Sequence, residues 1–471
     1  MDRKLHRAPC HFSKSPPFRN KPAGISLPSF RFLRSSFLLV LSLVFLSSFL
    51  PGCGGSSSPS SPGKNKTIAF AVGGAPNEIA FWERLAKEFE SRSGIGVRLI
   101  RQPTNTDQRR QGLVLALKAH QSDPDVFLMD VAWIGQFAAA DWLLPLSGGL
   151  SPVKTKPKEL FENVIRTAGT YRNRVVALPV YVDAGLLYYR TDLLEKAGFD
   201  SPPKTWPELV EMASKIQRRE RARGRRRFSG YVWQGAQYEG LVCHFLEVAS
   251  SAGGGIVVNG KGLLHVASPQ NVRALTFLRD LIRKWRISPP STYTEMREEE
   301  VRRAFQQGRA LFERNWPYAW ALHQDTESRV RGKVGLAPLP HFDTYPSAAT
   351  LGGWHIGISR FSDRKAAAGA FVDFVLSPEI QKRLALNLGW NPGRRSTYTD
   401  SDVLAKAPHL AALSRVFENA VARPNLPYWP LVSAALQEHL NAALAGRESP
   451  EDALKQAEEA MNEIAARYES P

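Results

Sequence analysis

The chain has 471 residues, a formal net charge of +18, 43% hydrophobic residues and 23% charged residues. This composition excludes a mostly disordered chain, a collagen and a polytopic membrane protein, and the length predicts two or three domains. The charge taken alone points to nucleic acid or acidic membranes, so its distribution along the chain decides what it means.

Residues 1–52 have the layout of an export signal. Eight lysines and arginines and one acid, Asp2, precede a short apolar run from Phe37 to Leu50. The run is shorter than the ~20 residues that a membrane-spanning helix needs. It ends in Leu-Pro-Gly-Cys53, which resembles a bacterial lipobox. We therefore predict a lipoprotein signal peptide with lipidation at Cys53. The alternative is an N-terminal membrane anchor in which Cys53 has no role.

The basic charge is unevenly distributed. Residues 53–66 are rich in Gly, Ser and Pro, which predicts a flexible tether. Without residues 1–52 the net charge falls to +11, and much of the excess lies in Arg218–Arg227, with seven arginines and one glutamate. Such a run is typical of a solvated helix end and loop, so we expect no nucleic-acid partner. Cys243 lies in an apolar helical pattern and is expected to be a buried structural residue.

Strands alternate with helices after residue 66. The patterns predict strands at 68–72, 97–100 and 125–130 and helices at 77–89 and 107–120. This alternation predicts a parallel sheet with right-handed crossovers. Ligands bind beyond the carboxyl ends of such strands, which places Glu78 and Asp130 at one edge.

The later chain predicts a second lobe. The extended stretch 175–189 is too long for one ordinary strand, so we expect it to leave one sheet and enter another. Further helices are predicted at 206–217, 270–285, 295–307 and 451–468, and further extended segments at 332–340 and 353–359. Two α/β lobes joined by more than one crossover is the simplest architecture.

The candidate chemistry is aromatic and acidic. The chain lacks the zinc-protease, P-loop and nucleophile-elbow motifs, but it has 11 Trp and 12 Tyr, several of them beside Pro, Gly or Asn. The face of a Trp ring packs on the C–H face of a sugar, while carboxylates and Arg bind its hydroxyls. A cleft with acids and Arg on its floor and Trp on its walls is therefore suited to carbohydrate.

Several segments resemble a known family. They include FAVGGAPNE (70–78), SDPDVFLMDVAW (122–133), LPVYVDAGLLYYR (178–190), FERNWPYAW (312–320) and SAATLGGWHIGIS (347–359). Over roughly residues 66–470 the chain resembles the extracellular solute-binding proteins of sugar ABC importers, and among them the trehalose/maltose-binding class. The resemblance implies a type II periplasmic-binding-protein-like α/β fold, with a hinge of about three crossovers and a ligand cleft between two lobes.

The resemblance also implies boundaries and residues. The expected N-terminal lobe is 67–180 plus 336–376, the expected C-terminal lobe is 185–332 plus 380–471, and the expected crossovers lie near 181–184, 333–335 and 377–379. The implied sugar-binding residues are Glu78, Arg109, Asp130, Tyr181, Asp183, Trp316, Gly353, Trp354 and Arg423.

The implied function is capture of an α-linked disaccharide of the trehalose/maltose class by hinge closure and its delivery to an ABC permease. We expect a monomer in the cell envelope or periplasm, held to the membrane by its lipid, without a cofactor or metal and without catalysis. The main alternative is a glycoside hydrolase that uses two of Glu78, Asp130, Asp183 and Glu313 as acid and base. A weaker alternative is an adhesion or nucleic-acid-binding protein driven by basicity.

Overall fold

The computed structural model describes residues 67–469 except 150, 261, 343, 408–409, 411–412, 414–415 and 418–419. The expected signal peptide, tether and Cys53 lie outside the described residues. The strands, in chain order, are β1 (Thr67–Gly73), β2 (Gly96–Gln102), β3 (Val126–Asp130), β4 (Thr170–Tyr171), β5 (Arg174–Val175), β6 (Leu178–Ala184), β7 (Leu186–Arg190), β8 (Ser229–Val232), β9 (Val257–Val258), β10 (Leu264–His265), β11 (Ala310–Asn315), β12 (Val334–Ala337) and β13 (Leu351–Ile358).

The α-helices surround these strands. In chain order they are α1 (Pro76–Ser93), α2 (Thr106–Lys118), α3 (Ile134–Ala139), α4 (Glu162–Val164), α5 (Thr191–Lys196), α6 (Trp206–Ala222), α7 (Glu239–Ser250), α8 (Pro269–Arg283), α9 (Glu298–Gln306), α10 (Ala319–His323), α11 (Lys365–Val375), α12 (Pro378–Leu388), α13 (Ser401–Lys406), α14 (Trp429–Leu444) and α15 (Pro450–Glu469). None of the helices in the described part of the chain is both long and apolar enough to cross a membrane.

The first lobe is built on a five-stranded sheet with the order β2-β1-β3-β13-β6. Strand β1 pairs in parallel with β2 and β3, whereas β13 is antiparallel to both β3 and β6. Alternate residues of β1 enter different cores: Phe70 faces one cluster and Ala71 the other. Because both faces are covered, the strand is a continuous apolar run, which is the pattern that predicted it.

The second lobe is built on a four-stranded sheet with the order β12-β7-β11-β8. Strands β11 and β8 are parallel, and β7 is antiparallel to β11 and β12. Helix α6 continues to Ala222, so the arginine run occupies its last turns and the following loop, where residues 221–227 are exposed as expected. Cys243 is buried in α7, also as expected.

The chain leaves the first sheet for the second at Gly185, one residue beyond the expected crossover at 181–184. The return does not lie at 333–335. Strand β12 completes the edge of the second sheet, with Leu336 opposite Tyr188, so the chain returns later, between 338 and 350.

The passage expected at 377–379 is also wrong. Residues 377–379 form only the turn between α11 and α12, and Ile380 of α12 packs in the core of the first lobe. Arg383 of α12 pairs with Glu88 of α1 at 2.7 Å. The first lobe therefore continues past residue 380, because its apolar face needs α12 as a cover.

Gly185 lies against a buried ion pair. A Cβ at Gly185 would stand 2.0 Å from Oε1 of Glu247 and 2.6 Å from Nη2 of Arg314. These two side chains are fully buried and bind each other, with Arg314 Nε donating to Glu247 Oε2 at 2.8 Å. The chain can therefore cross between the sheets here only with a residue that lacks a side chain.

We expect Gly185→Ala to destabilise the protein. Overpacking a tight interior costs about 1–3 kcal/mol, and displacing a buried ion pair adds to that. Urea denaturation measures the change in the free energy of unfolding. The matched control is Gly112→Ala in α2, where an added Cβ meets nothing within 4 Å; it should stabilise by ~0.5–1 kcal/mol, because Ala favours a helix interior over Gly. Equal effects of the two variants would contradict the packing argument.

Candidate functional site

The expected site residues of the first lobe meet at the carboxyl edge of its sheet. Asp130 ends β3 and lies opposite Trp354 of β13, which lies opposite Tyr181 of β6. Asp183 lies two residues further along β6, opposite Gly352. The strand register therefore brings these residues together, although they are far apart in sequence.

Glu78 combines a local and a long-range contact. It stands in the first turn of α1, where Oε2 accepts a hydrogen bond from the backbone N–H of Ala75 at 2.8 Å. Oε1 accepts from the indole N–H of Trp390 at 3.2 Å. Burial raises the pKa of Glu78 to about 6, although the Ala75 bond and nearby Arg109 act in the opposite direction.

Arg109 is buried between the backbone and an aromatic ring. Its Nε donates to the carbonyl of Pro103 at 2.5 Å, and its guanidinium lies 4.6 Å from the ring centre of Trp354. It fits because position 73 is glycine: a Cβ there would lie 2.7 Å from Nε. Arg109 thus covers one face of Trp354, while Trp133 meets that ring edge-on at 5.2 Å.

Asp183 is the least satisfied acid of the site. Its side chain is buried, and Oδ1 has no hydrogen-bond partner in the described part of the chain. Burial, reinforced by the charges of Glu78 and Asp130, raises its pKa to about 8, against the weaker opposing effect of Arg314. A buried, unpartnered carboxyl oxygen is the kind of group that binds a ligand hydroxyl.

The second lobe contributes Trp316, which follows β11 directly. The guanidinium of buried Arg314 lies 4.0 Å from its ring centre and so covers one face. The Trp316 ring reaches the first sheet, since a Cβ at Gly352 would lie 2.9 Å from it. Gly353 has φ +113°, and a Cβ there would lie 2.4 Å from the carbonyl oxygen of Tyr181. Glycine at 352 therefore leaves room for the Trp316 ring against β13, and glycine at 353 allows β6 to lie close to β13.

Arg423 connects the two lobes. Its Nη2 donates to Oδ1 of Asp130 at 3.1 Å, and its Nη1 donates to Oε1 of Glu239, the first residue of α7, at 2.8 Å. Burial raises the pKa of Asp130, although Arg423 opposes that shift. Glu239 is a member of this cluster that the sequence did not single out; an acid in the first turn of a helix is common, so it carries no distinct signal.

Two further groups were missed. Trp390 packs on Tyr181 with ring centres 4.1 Å apart; it is one of the tryptophans that stand beside Gly and Asn, but it was not among the implied sugar-binding residues. Glu298 of α9 lies next to Tyr238 and Trp316, and burial raises its pKa despite the opposing hydrogen bonds.

Glu313 does not join this group. It is buried in β11, with Oε2 2.7 Å from Nε2 of His323 and Oε1 accepting from Asn315 at 2.6 Å. Its carboxylate is thus engaged within the second lobe. Among the described residues there is also no cluster of three or more His, Cys, Asp or Glu that could hold a metal ion.

The sequence profile of the bacterial extracellular solute-binding proteins matches residues 75–382. The chain belongs to this family. A probable ABC transporter-binding protein of Deinococcus radiodurans is 37% identical to this solute-binding protein over 85% of the chain and 94% of the relative. The relatives are binding proteins of ABC transporters and not enzymes, which rules out the glycoside hydrolase alternative.

Solved structures agree with this assignment. The maltose-bound MalE3 of T. maritima is 40% identical with a TM-score of 0.79, and covers 84% of this chain and 99% of its own. An ABC transporter solute-binding protein of Thermotoga lettingae with bound α-D-tagatose is 29% identical with a TM-score of 0.76, over 85% and 100%. The expected two-lobed periplasmic-binding-protein-like fold is confirmed.

The pKa of Asp183 predicts a pH-dependent stability. The carboxyl titrates near pH 4 in the unfolded chain and at about 8 in the folded one, so the folded protein holds the proton more tightly. The contribution of Asp183 to the free energy of unfolding is at its maximum below pH ~4 and is lost as the pH rises through 8. We expect Asp183→Asn to be more stable than the wild type at pH 8.5, by at most ~5 kcal/mol, with the difference shrinking toward pH 5.

Denaturation of the unliganded protein across this pH range measures the effect. The control is Asp141→Asn, an exposed carboxylate paired with exposed Arg360. It should leave the pH dependence of stability unchanged. A parallel pH profile for wild type and Asp183→Asn would refute the assignment of the buried titration to Asp183.

Proposed function

We propose that this solute-binding protein captures an α-linked disaccharide of the trehalose/maltose class and delivers it to an ABC permease. The observation that carries the proposal is the buried, unpartnered carboxyl oxygen of Asp183. It lies in a cluster with Glu78, Asp130 and Arg109, and Trp316 faces it from the other lobe. A relative 40% identical to this chain is described with bound maltose.

The residues divide into binding and positioning roles. Glu78, Asp130, Asp183 and Arg109 bind sugar hydroxyls by hydrogen bonds. The tryptophan rings stack on the sugar by the face that is not covered: Arg314 fixes the ring of Trp316, and Arg109 fixes that of Trp354. Tyr181 and Gly353 shape the floor, and Arg423 holds Asp130 in place.

Hinge closure completes the mechanism. The two lobes meet where Gly185 leaves the first sheet and where Thr350 re-enters it, and we assign the hinge to these passages together with the later return beyond Arg394, which still pairs with Leu160 of the first lobe. Closure brings Trp316 over the carboxylates of the first lobe and removes the sugar from water. The closed form is the one that docks on the permease.

Asp183→Asn tests the binding role. The amide keeps the shape but replaces one carboxyl oxygen by an NH2 group that cannot accept a hydrogen bond, so we expect affinity for maltose or trehalose to fall about 5–150-fold, equivalent to ~1–3 kcal/mol. Isothermal titration calorimetry measures the change, and Asp141→Asn serves as the control with unchanged affinity. If Asp183→Asn bound every disaccharide as the wild type does, the assignment would fail.

A ligand screen tests the substrate class. Thermal shift with maltose, trehalose, mannitol and tagatose at equal concentration ranks them, because a ligand that binds only the folded state raises the melting temperature. A rise confined to mannitol or tagatose would keep the sugar-binding function but refute the disaccharide. The monomeric state is checked in the same preparation by light scattering.

We also propose a lipid anchor at Cys53, which keeps the tethered protein near its permease. Expression in bacteria with labelled palmitate should give a labelled protein in the membrane fraction. Cys53→Ser should abolish the label and release the protein, whereas Cys10→Ser, within the proposed signal peptide, should change neither. Label retained in Cys53→Ser would contradict the proposal.

A further inference from the structure

The second lobe carries two adjoining cavities that the sugar site does not use. Their volumes are about 930 and 510 Å³, and both are lined by Arg227, Gln307 and Arg309. We call the two cavities together the arginine groove. It includes the end of the run Arg218–Arg227, for which the sugar-binding function gives no role.

The lining of the arginine groove is strongly cationic. Six arginines line the larger cavity against the carboxylates Glu295 and Glu300, and Glu300 is paired with Arg303 at 2.6 Å. Seven cationic side chains and no carboxylate line the smaller cavity. Like charges at this density repel one another, so the groove attracts anions.

The groove contains guanidinium groups that the protein does not use. Some of its arginines are occupied: Arg221 donates to the carbonyl of Phe228 at 2.8 Å and Arg225 pairs with Glu220 at 2.9 Å. Within the described residues, the guanidinium groups of Arg227, Arg286 and Arg309 have no hydrogen-bond or ion-pair partner. These three groups line the larger cavity together and are available to a ligand.

The geometry points to a second ligand: we propose that the arginine groove binds a small oligophosphate. Guanidinium groups present a rigid fork that matches two oxygens of a phosphate, and several forks suit several linked phosphates. A concave site in two adjoining parts favours a discrete solute of a few anionic groups over a flat lipid surface.

The arginine groove is separate from the proposed sugar site. Arg309 directly precedes β11 and Trp316 directly follows it, and the six residues of the strand span about 20 Å. The groove thus lies at the amino ends of the parallel strands β8 and β11, and the sugar site at the opposite end. Occupation of one site does not require the other.

Tripolyphosphate is the probe, and calorimetry on the full folded chain is the measurement. We expect saturable one-to-one binding that weakens with added salt. Arg227→Gln/Arg309→Gln should weaken it at least tenfold, and Arg227→Lys/Arg309→Lys should fall between, because lysine keeps the charge but loses the fork. Both positions are exposed, so the variants should fold.

The control is Arg98→Gln/Arg101→Gln on β2 of the first lobe, which removes the same charge from exposed arginines. It should leave tripolyphosphate binding unchanged. Equal loss in both double variants would show a non-specific effect of net charge and overturn the proposal. The absence of saturable binding would also overturn the proposal. Attachment to phosphatidylglycerol vesicles that tripolyphosphate does not displace would overturn it as well, because it would assign the groove to a lipid surface.

Discussion

The buried ion pair between Arg314 and Glu247 is the interaction on which the two-lobed arrangement depends. Burial alone would raise the pKa of Glu247, but Arg314 and His244 reverse that effect and keep it ionised. The same carboxylate accepts the backbone N–H of Thr350 at 3.2 Å and lies against Gly185, so it meets both passages between the sheets. Arg314 also supports the ring of Trp316. The core, the proposed hinge and the proposed binding surface therefore share one pair of charges.

The proposed sugar site is electrostatically unfavourable without a ligand. Glu78, Asp130, Asp183 and Glu298 all have pKa values raised chiefly by burial, and Arg109 is already engaged by the backbone and by Trp354. The folded protein is thus less stable for keeping a surface that the proposed hydroxyl-rich ligand would satisfy. This is the expected trade-off of a preorganised site, since groups that are satisfied in the free protein have less to offer a ligand.

The sequence predicted which residues are buried, but not always which lobe they pack in. The apolar runs at β1 and β3 located Asp130 correctly at the carboxyl edge of the first sheet. Strand β12 and helix α12 were assigned to the wrong lobes, because hydrophobic periodicity shows which face is buried and not which core covers it. Glu239 and Glu298 were missed for a related reason: as acids in the first turn of a helix they look like ordinary helix-end charges.

The charged side chains are distributed unevenly over this fold. Acids gather at the carboxyl ends of the strands, where a neutral, hydroxyl-rich ligand is proposed to bind, whereas the arginines of Arg218–Arg227 gather at the amino ends of β8 and β11. The cations that act on these acids are the buried Arg109, Arg423 and Arg314, whereas the arginine run lies at the other end of β11, a strand about 20 Å long. The arginines of the run therefore do not neutralise the acids, and each region keeps its own ligand chemistry.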